Sequence, residues 1–317
     1  LNTWLDRPLS AAGKVVIKSE HSFQLEIRIF DMKKPLFTIP NLAVHLNRDV
    51  NKGTELNRQI DMAPLAGLLG EEVEDGFFTM LLARKLGVSV SEILDYEVYL
   101  YNCDAGDVLG LQEELISAPR LDNITSVEAC LQGICQNRRR KGINGIVLFD
   151  NEEIGSRTKQ GADSVLLSMV LEKIYASLGV SQAVAHTALI NGFGLSLDVA
   201  HGFHPNKPEK SDPTNENPLG GGVVIKRSSS QNYVTDSGAI GTVMMLMENA
   251  DIPYQKYAGR SDVSQGGTLG AVASRYLPMK MVDMGVPVLA MHSARELMSV
   301  RDQVALEMFV KEYFNAE

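Results

Sequence analysis

The sequence predicts an α/β fold in which a largely parallel, three-layer α/β/α domain follows a smaller α+β region. Three observations carry that expectation. From about residue 105 onward, apolar runs of strand length alternate with stretches of helical period. The first third instead strings several extended runs together before a single helix. Acidic and histidine residues collect where the later apolar runs end, which is where open α/β sheets gather their ligands.

Taken in order, residues 14–48 hold four extended runs, "KVVIKS", "SFQLEIRIF", "PLFTI" and "LAVHL", rich in Val, Ile, Leu and Phe with Pro and Asn between them. "DGFFTMLLARKLG" has helical spacing and stops at Gly87, a residue suited to a left-handed cap. "DYEVYLYN" alternates as a strand does. After residue 105, "SVEACLQGICQN" reads as a helix and "GINGIVLFD" as a strand. "GADSVLLSMVLEKIYASLG" is an amphipathic helix with Gly179 beyond it, and "HTALINGFGLSLD" returns as strand-like material. "SGAIGTVMMLMENA" is a further helix, and "KMVDMGVPVLAMHS" carries a buried strand. Residues 206–222, "NKPEKSDPTNENPLGGG", form a mobile loop candidate.

Composition narrows the function classes. A chain of 317 residues has room for one large core, or for one domain with an insertion. Its net charge of -9 argues against nucleic acid and anionic membrane as partners. The one basic run, Arg138-Arg139-Arg140-Lys141, reads most simply as a solvated helix end. Three cysteines without Cys-x-x-Cys spacing point to a reducing compartment, no thiolate metal site and no disulfide framework. Neither a signal-peptide pattern nor an apolar run of spanning length is found, so the cytoplasm is the expected location.

The stretch "LFDNEEIGSR" places Asp150, Glu152 and Glu153 behind an apolar run. Like charges packed there cost stability unless a cation or a proton offsets them. Comparable residues recur at other strand ends: Asp122 in "APRLDN", Asp198 and His201 in "SLDVAHGFHPN", and His292 in "LAMHSARE". Singly, each has a plainer reading. A Glu-Glu pair is usually a solvated loop, a histidine on an apolar strand is usually a hydrogen-bonded core residue, and Asp122 or Asp198 could be a helix N-cap. Together, oxygen and imidazole groups without thiolate suit Zn, Mn or Co, and their spread suits a cocatalytic pair of ions.

In their order along the chain, "TWLDRPLSAAGKV", "PNLAVHLNRDVN", "APRLDN", "LFDNEEIGSRTKQGADS", "DVAHGFHPN", "GGVVIK", "GGTLGAVASR" and "LAMHSARELM" resemble the aspartyl aminopeptidase family of dinuclear metallopeptidases, over essentially the whole chain. The resemblance implies an aminopeptidase that releases N-terminal Asp or Glu from peptides with a water activated by two divalent ions, most simply Zn, with Co or Mn as alternatives. Asp122 would bridge the ions, Glu153 and His292 would complete one, and Asp198 would bind the other. Glu152 would be the general acid/base and also touch substrate, with His45, His201 and Lys226 as further substrate contacts. Lys226, beside the Gly220-Gly221-Gly222 turn, is the candidate cation for an acidic side chain; an ordinary exposed strand lysine is the alternative.

The resemblance also implies that residues 12–92 are an inserted α+β dimerisation domain, flanked by 1–11 and 93–317 of the catalytic domain. His45 would then reach a neighbouring subunit's site, and dimers would assemble to a dodecamer. The family's first metal ligand, a histidine in a Ser-His-x-Asp motif upstream of "TWLDR", has no match here, so an N-terminal portion is expected before Leu1. Two other readings stay open: a related dinuclear aminopeptidase of neutral specificity, and an inactive assembly protein of the same fold.

Overall fold

The structure is a computed structural model describing residues 1–68, 75–263 and 266–316, and it divides into two units. The first comprises Leu1–Gly106 with Ser293–Arg295, the second Asp107–His292 with Glu296–Glu317.

The first unit contains β1 (Leu9–Ile17), β2 (Glu26–Asp31), α1 (Phe77–Leu86) and β3 (Ile93–Asn102). β1 is central and pairs antiparallel with both other strands. Its alternation buries Leu9, Ala11, Val15 and Ile17 against Phe30, Phe37 and Leu82 of α1. α1 ends at Gly87, whose φ of 69° and N–H bond to the Ala83 carbonyl make the expected left-handed cap. The runs at 35–39 and 42–46 are not strands, which corrects the sequence reading. Phe37 and Thr38 make only isolated bridges, to Leu9 and Leu65. Pro35 and Pro40 bracket the first run and lack the N–H groups a ladder needs. The second run is a turn that carries His45.

The second unit runs β4 (Asp107–Leu109), β5 (Leu115–Ala118), α2 (Leu121–Cys135), α3 (Leu166–Ser177), α4 (Gln182–Ile190), β6 (Phe193–His201) and β7 (Val223–Arg227). It continues with α5 (Ser237–Asn249), β8 (Tyr254–Ala258), α6 (Leu269–Ala273), β9 (Lys280–Leu289), β10 (Glu296–Ser299) and α7 (Val300–Asn315). One sheet is ordered β4-β5-β10-β9-β7-β8, with β6 pairing to β9. The sheet is mixed rather than largely parallel: only β6–β9 and β7–β8 are parallel. Short connections explain much of the difference, because the few residues between β4 and β5 cannot make the crossover that parallel pairing needs. β9 is buried from Met281 to Val288 and packs with Phe309 and Val310 of α7 and Val243 of α5 in the main core. The basic run at 138–141 follows α2 and is exposed, as expected.

Two further expectations are corrected. Residues 142–150 join no sheet and leave Ile143, Val147 and Leu148 about half exposed. Their β-favouring composition specifies a tendency and not a partner, and no described strand pairs with them. The run 186–198 begins as the end of α4, so His186 sits exposed on a helix; only from Phe193 is it a strand. Ala-rich "QAVAHTALI" favours a helix, and Asn191-Gly192 ends it.

Candidate metal centre

Three segments of the second unit converge on one point. Asp122 follows β5 at the opening of α2, where its φ of -77° and ψ of 109° are not yet helical. Asn151 and Gly155, both left-handed, bracket a one-turn 3-10 helix, Glu152–Ile154, that presents Glu152 and Glu153. His292 lies just past β9 with a left-handed φ of 63°. Its Nε2 is 3.2 Å from Asp122 Oδ2 and 3.4 Å from Glu153 Oε2. One ligand atom from each of the three residues falls within 4.8 Å of the others. Asp122 is nearly buried, whereas Glu153 and His292 are open to solvent on one side.

Asp198 comes from β6, where it lies opposite Gly285 of β9. A Cβ at Gly285 would stand 2.1 Å from the Asp198 carbonyl oxygen, so only glycine permits this approach. The Asp198 carboxylate is held by Lys226 of β7, whose Nζ donates to Asp198 Oδ2 at 3.1 Å and to the Val199 carbonyl at 2.8 Å. Lys226 is 2% exposed, which sets aside the solvated strand lysine, and it lies 5.3 Å from the Tyr233 ring centroid.

The electrostatics explain why the carboxylates sit together. Burial, reinforced by the neighbouring Asp198, Glu153 and Glu296 charges, pushes the Asp122 carboxyl up to about 8. Burial also raises Glu152, with Asp198 and Glu153 adding to it and Lys226 and His292 opposing. His201, at the end of β6, is lowered by desolvation and then by Lys226 and His292, which favours the neutral imidazole. A cation among these groups would reverse the penalty on the ionised acids.

Of the residues singled out from the sequence, Asp122, Glu153 and His292 form the cluster. Asp198 and Glu152 act electrostatically on its edge. His45 belongs to the first unit, in an exposed turn. Two groups escaped sequence reasoning. Glu296 of β10 accepts from the Asp122 and His292 backbone N–H groups, and its only sequence signal is a carboxylate four residues after a histidine. Tyr233 has no signal at all, since nothing in its neighbours marks it as facing Lys226.

Two carboxylates and one imidazole, with one side open, offer oxygen and nitrogen donors of the kind a divalent ion takes. The residues therefore fit a divalent ion, whose charge would offset the burial and the neighbouring carboxylates that raise Asp122.

Residues 1–314 match the family model described as aminopeptidase I zinc metalloprotease (M18). The chain is 43% identical over 316 residues to "Probable M18 family aminopeptidase 2" of Clostridium novyi, covering 99% of this chain and 73% of that protein. It is 33% identical over 350 residues to "Aspartyl aminopeptidase 4" of Saccharomyces cerevisiae, covering 99% and 71%. Among solved structures, the Ape4 and Nbr1 complex matches with a TM-score of 0.89 at 30% identity, over 99% of this chain. This chain spans only 64% of that solved chain. The S. cerevisiae mApe1 dodecamer shares the fold at a TM-score of 0.78 and 24% identity, covering 99% of this chain and 70% of its own.

Proposed function

The chain belongs to the M18 family of zinc metalloaminopeptidases, and from that premise we propose that it releases N-terminal Asp or Glu from peptides with two divalent ions. The observation that carries the reading is the Asp122, Glu153 and His292 cluster with Glu152 beside it. Asp122, Glu153 and His292 would hold one ion, and Asp122 with Asp198 the other. Bound there, the ions supply Lewis acidity that makes a water acidic and polarises a carbonyl. Glu152 takes the proton from the attacking water on its carboxylate and returns it to the departing amine nitrogen, a transfer helped by a pKa raised toward the working pH. His201, kept neutral, donates an N–H to the developing oxyanion.

In this reading Lys226 supplies the positive charge for the substrate's acidic side chain. Residues 12–92, within the first unit, are an insertion that joins copies of the chain, His45 serves a neighbouring site, and the three-layer catalytic domain works in the cytoplasm. The mApe1 dodecamer supports assembly from copies of one chain. No helix among the described residues is long and apolar enough to cross a membrane.

One observation favours a second reading, neutral specificity: the Lys226 ammonium already serves Asp198 and the Val199 carbonyl. Hydrolysis of Asp-, Glu-, Leu- and Ala-anilides with Zn, Mn or Co decides between them, using this chain and a form extended at its N-terminus. A preference for Asp- and Glu-anilides supports the first reading, equal or better turnover of Leu-anilide the second. Metal bound without hydrolysis of any anilide removes both.

A further inference from the structure

Glu296 is 2% exposed, and both of its carboxylate oxygens are committed to backbone. Oε2 accepts from the Asp122 N–H at 2.9 Å and Oε1 from the His292 N–H at 2.7 Å. A buried carboxylate is costly unless such donors satisfy it, so its position demands an account.

The topology supplies one. Glu296 opens β10 and lies opposite Ala118 of β5, the strand that leads to Asp122. It also follows His292 by four residues, across the connection that leaves β9. A single side chain therefore ties together the exits of two strands that carry ligand residues. His292 holds a left-handed φ of 63°, disfavoured for any residue with a Cβ, and Asp122 is still extended where α2 opens. Each Glu296 oxygen accepts one backbone N–H, and Glu296 stands outside the Asp122, Glu153 and His292 cluster.

We propose that Glu296 is a positioning residue that fixes the separation of Asp122 and His292, and thereby the affinity and geometry of the metal centre, without being a ligand. The inference rests on the metal-dependent reading above. It extends that reading to a residue acting through backbone rather than through the ion.

The test is binding of Co(II), followed by its visible absorption, and of Zn(II), followed by calorimetry, to the wild-type chain, Glu296→Gln and Glu296→Asp. Metal-free thermal unfolding is measured alongside. Gln keeps the shape but turns one acceptor into a donor that opposes an N–H. Asp keeps the charge but is too short to span both. Each variant is expected to bind both ions 10- to 100-fold more weakly, on the order seen for residues that orient metal ligands, with an altered Co(II) spectrum. Where Glu296→Gln does not fold, Glu296→Asp carries the same comparison. A lower metal-free melting temperature with unchanged affinity and spectrum would mean a merely structural role and would overturn the proposal, leaving the metal reading intact. A wild-type chain that binds neither ion would overturn both.

Discussion

Lys226 Nζ lies 3.1 Å from Asp198 Oδ2, with the lysine side chain 3% and the aspartate side chain 18% exposed. Here an internal ammonium holds a carboxylate that the metal reading assigns to an ion. Replacing Lys226 with Met should destabilise the metal-free protein by roughly 3 kcal/mol, because it strands a mostly buried charge. Added Zn should recover much of that loss by providing the cation instead. Urea unfolding with chelator and with Zn measures both quantities; an equal loss in the two conditions would show that Lys226 and the ion do not share Asp198.

Specificity gives a separate test of the same residue. If Lys226 recognises an acidic side chain, Lys226→Gln should lower kcat/KM for Asp-anilide at least tenfold while leaving Leu-anilide nearly unchanged. A ratio that does not move would assign Lys226 to Asp198 alone.

For Glu152, the expected result of Glu152→Gln is a 10²- to 10⁴-fold fall in kcat with metal content unchanged, as for loss of a proton carrier. Elemental analysis of the purified variant beside its turnover number checks both halves. Chelation should silence the wild type, and Zn, Co or Mn should restore it.

Asp302 reports on pH. It is fully buried in the first turn of α7 and accepts from the Gly220 and Gly222 N–H groups at 2.7 and 2.8 Å. Burial outweighs those bonds and pushes its carboxyl up to about 6. A folded-state value above the unfolded one means that the native state holds the proton more tightly. The contribution is therefore fully present below about pH 4 and is lost as pH rises through about 6. Relative to Asp302→Asn, the wild type should lose about 3 kcal/mol of unfolding free energy between pH 4 and pH 7. Urea titrations at several pH values measure the slope, and a slope of opposite sign would contradict it.

Gly285→Ala tests the approach of β6 to β9. With a Cβ 2.1 Å from the Asp198 carbonyl oxygen, the strands must part at the residue assigned to the second ion. The expected cost is about 1–3 kcal/mol, typical of overpacking, together with weaker metal binding. Thermal unfolding and a Zn titration are the measurements.

Local signals and tertiary outcomes separate cleanly along this chain. Gly87 ending α1 and the apolar run of β9 were both legible, because a left-handed cap and sustained burial depend on the residues at hand. The convergence of Asp122, Glu153 and His292 was legible from their places after apolar runs and from the ordered motifs, not from any periodicity, since residues so far apart share none. Residues 142–150 carry strand composition and yet pair with nothing described, because a ladder needs a partner that composition does not name.

By itself, then, the sequence determined the elements whose dihedrals and burial are set locally, the family, and which acids and histidines were candidates for a cation. The tertiary structure decided which strands run antiparallel, that Lys226 is withdrawn from solvent onto Asp198, and that Glu296 bridges the Asp122 and His292 backbones. The physical reason is the same in each case. Backbone N–H and carbonyl groups are identical at nearly every position, so only their placement in space tells which charge they will meet.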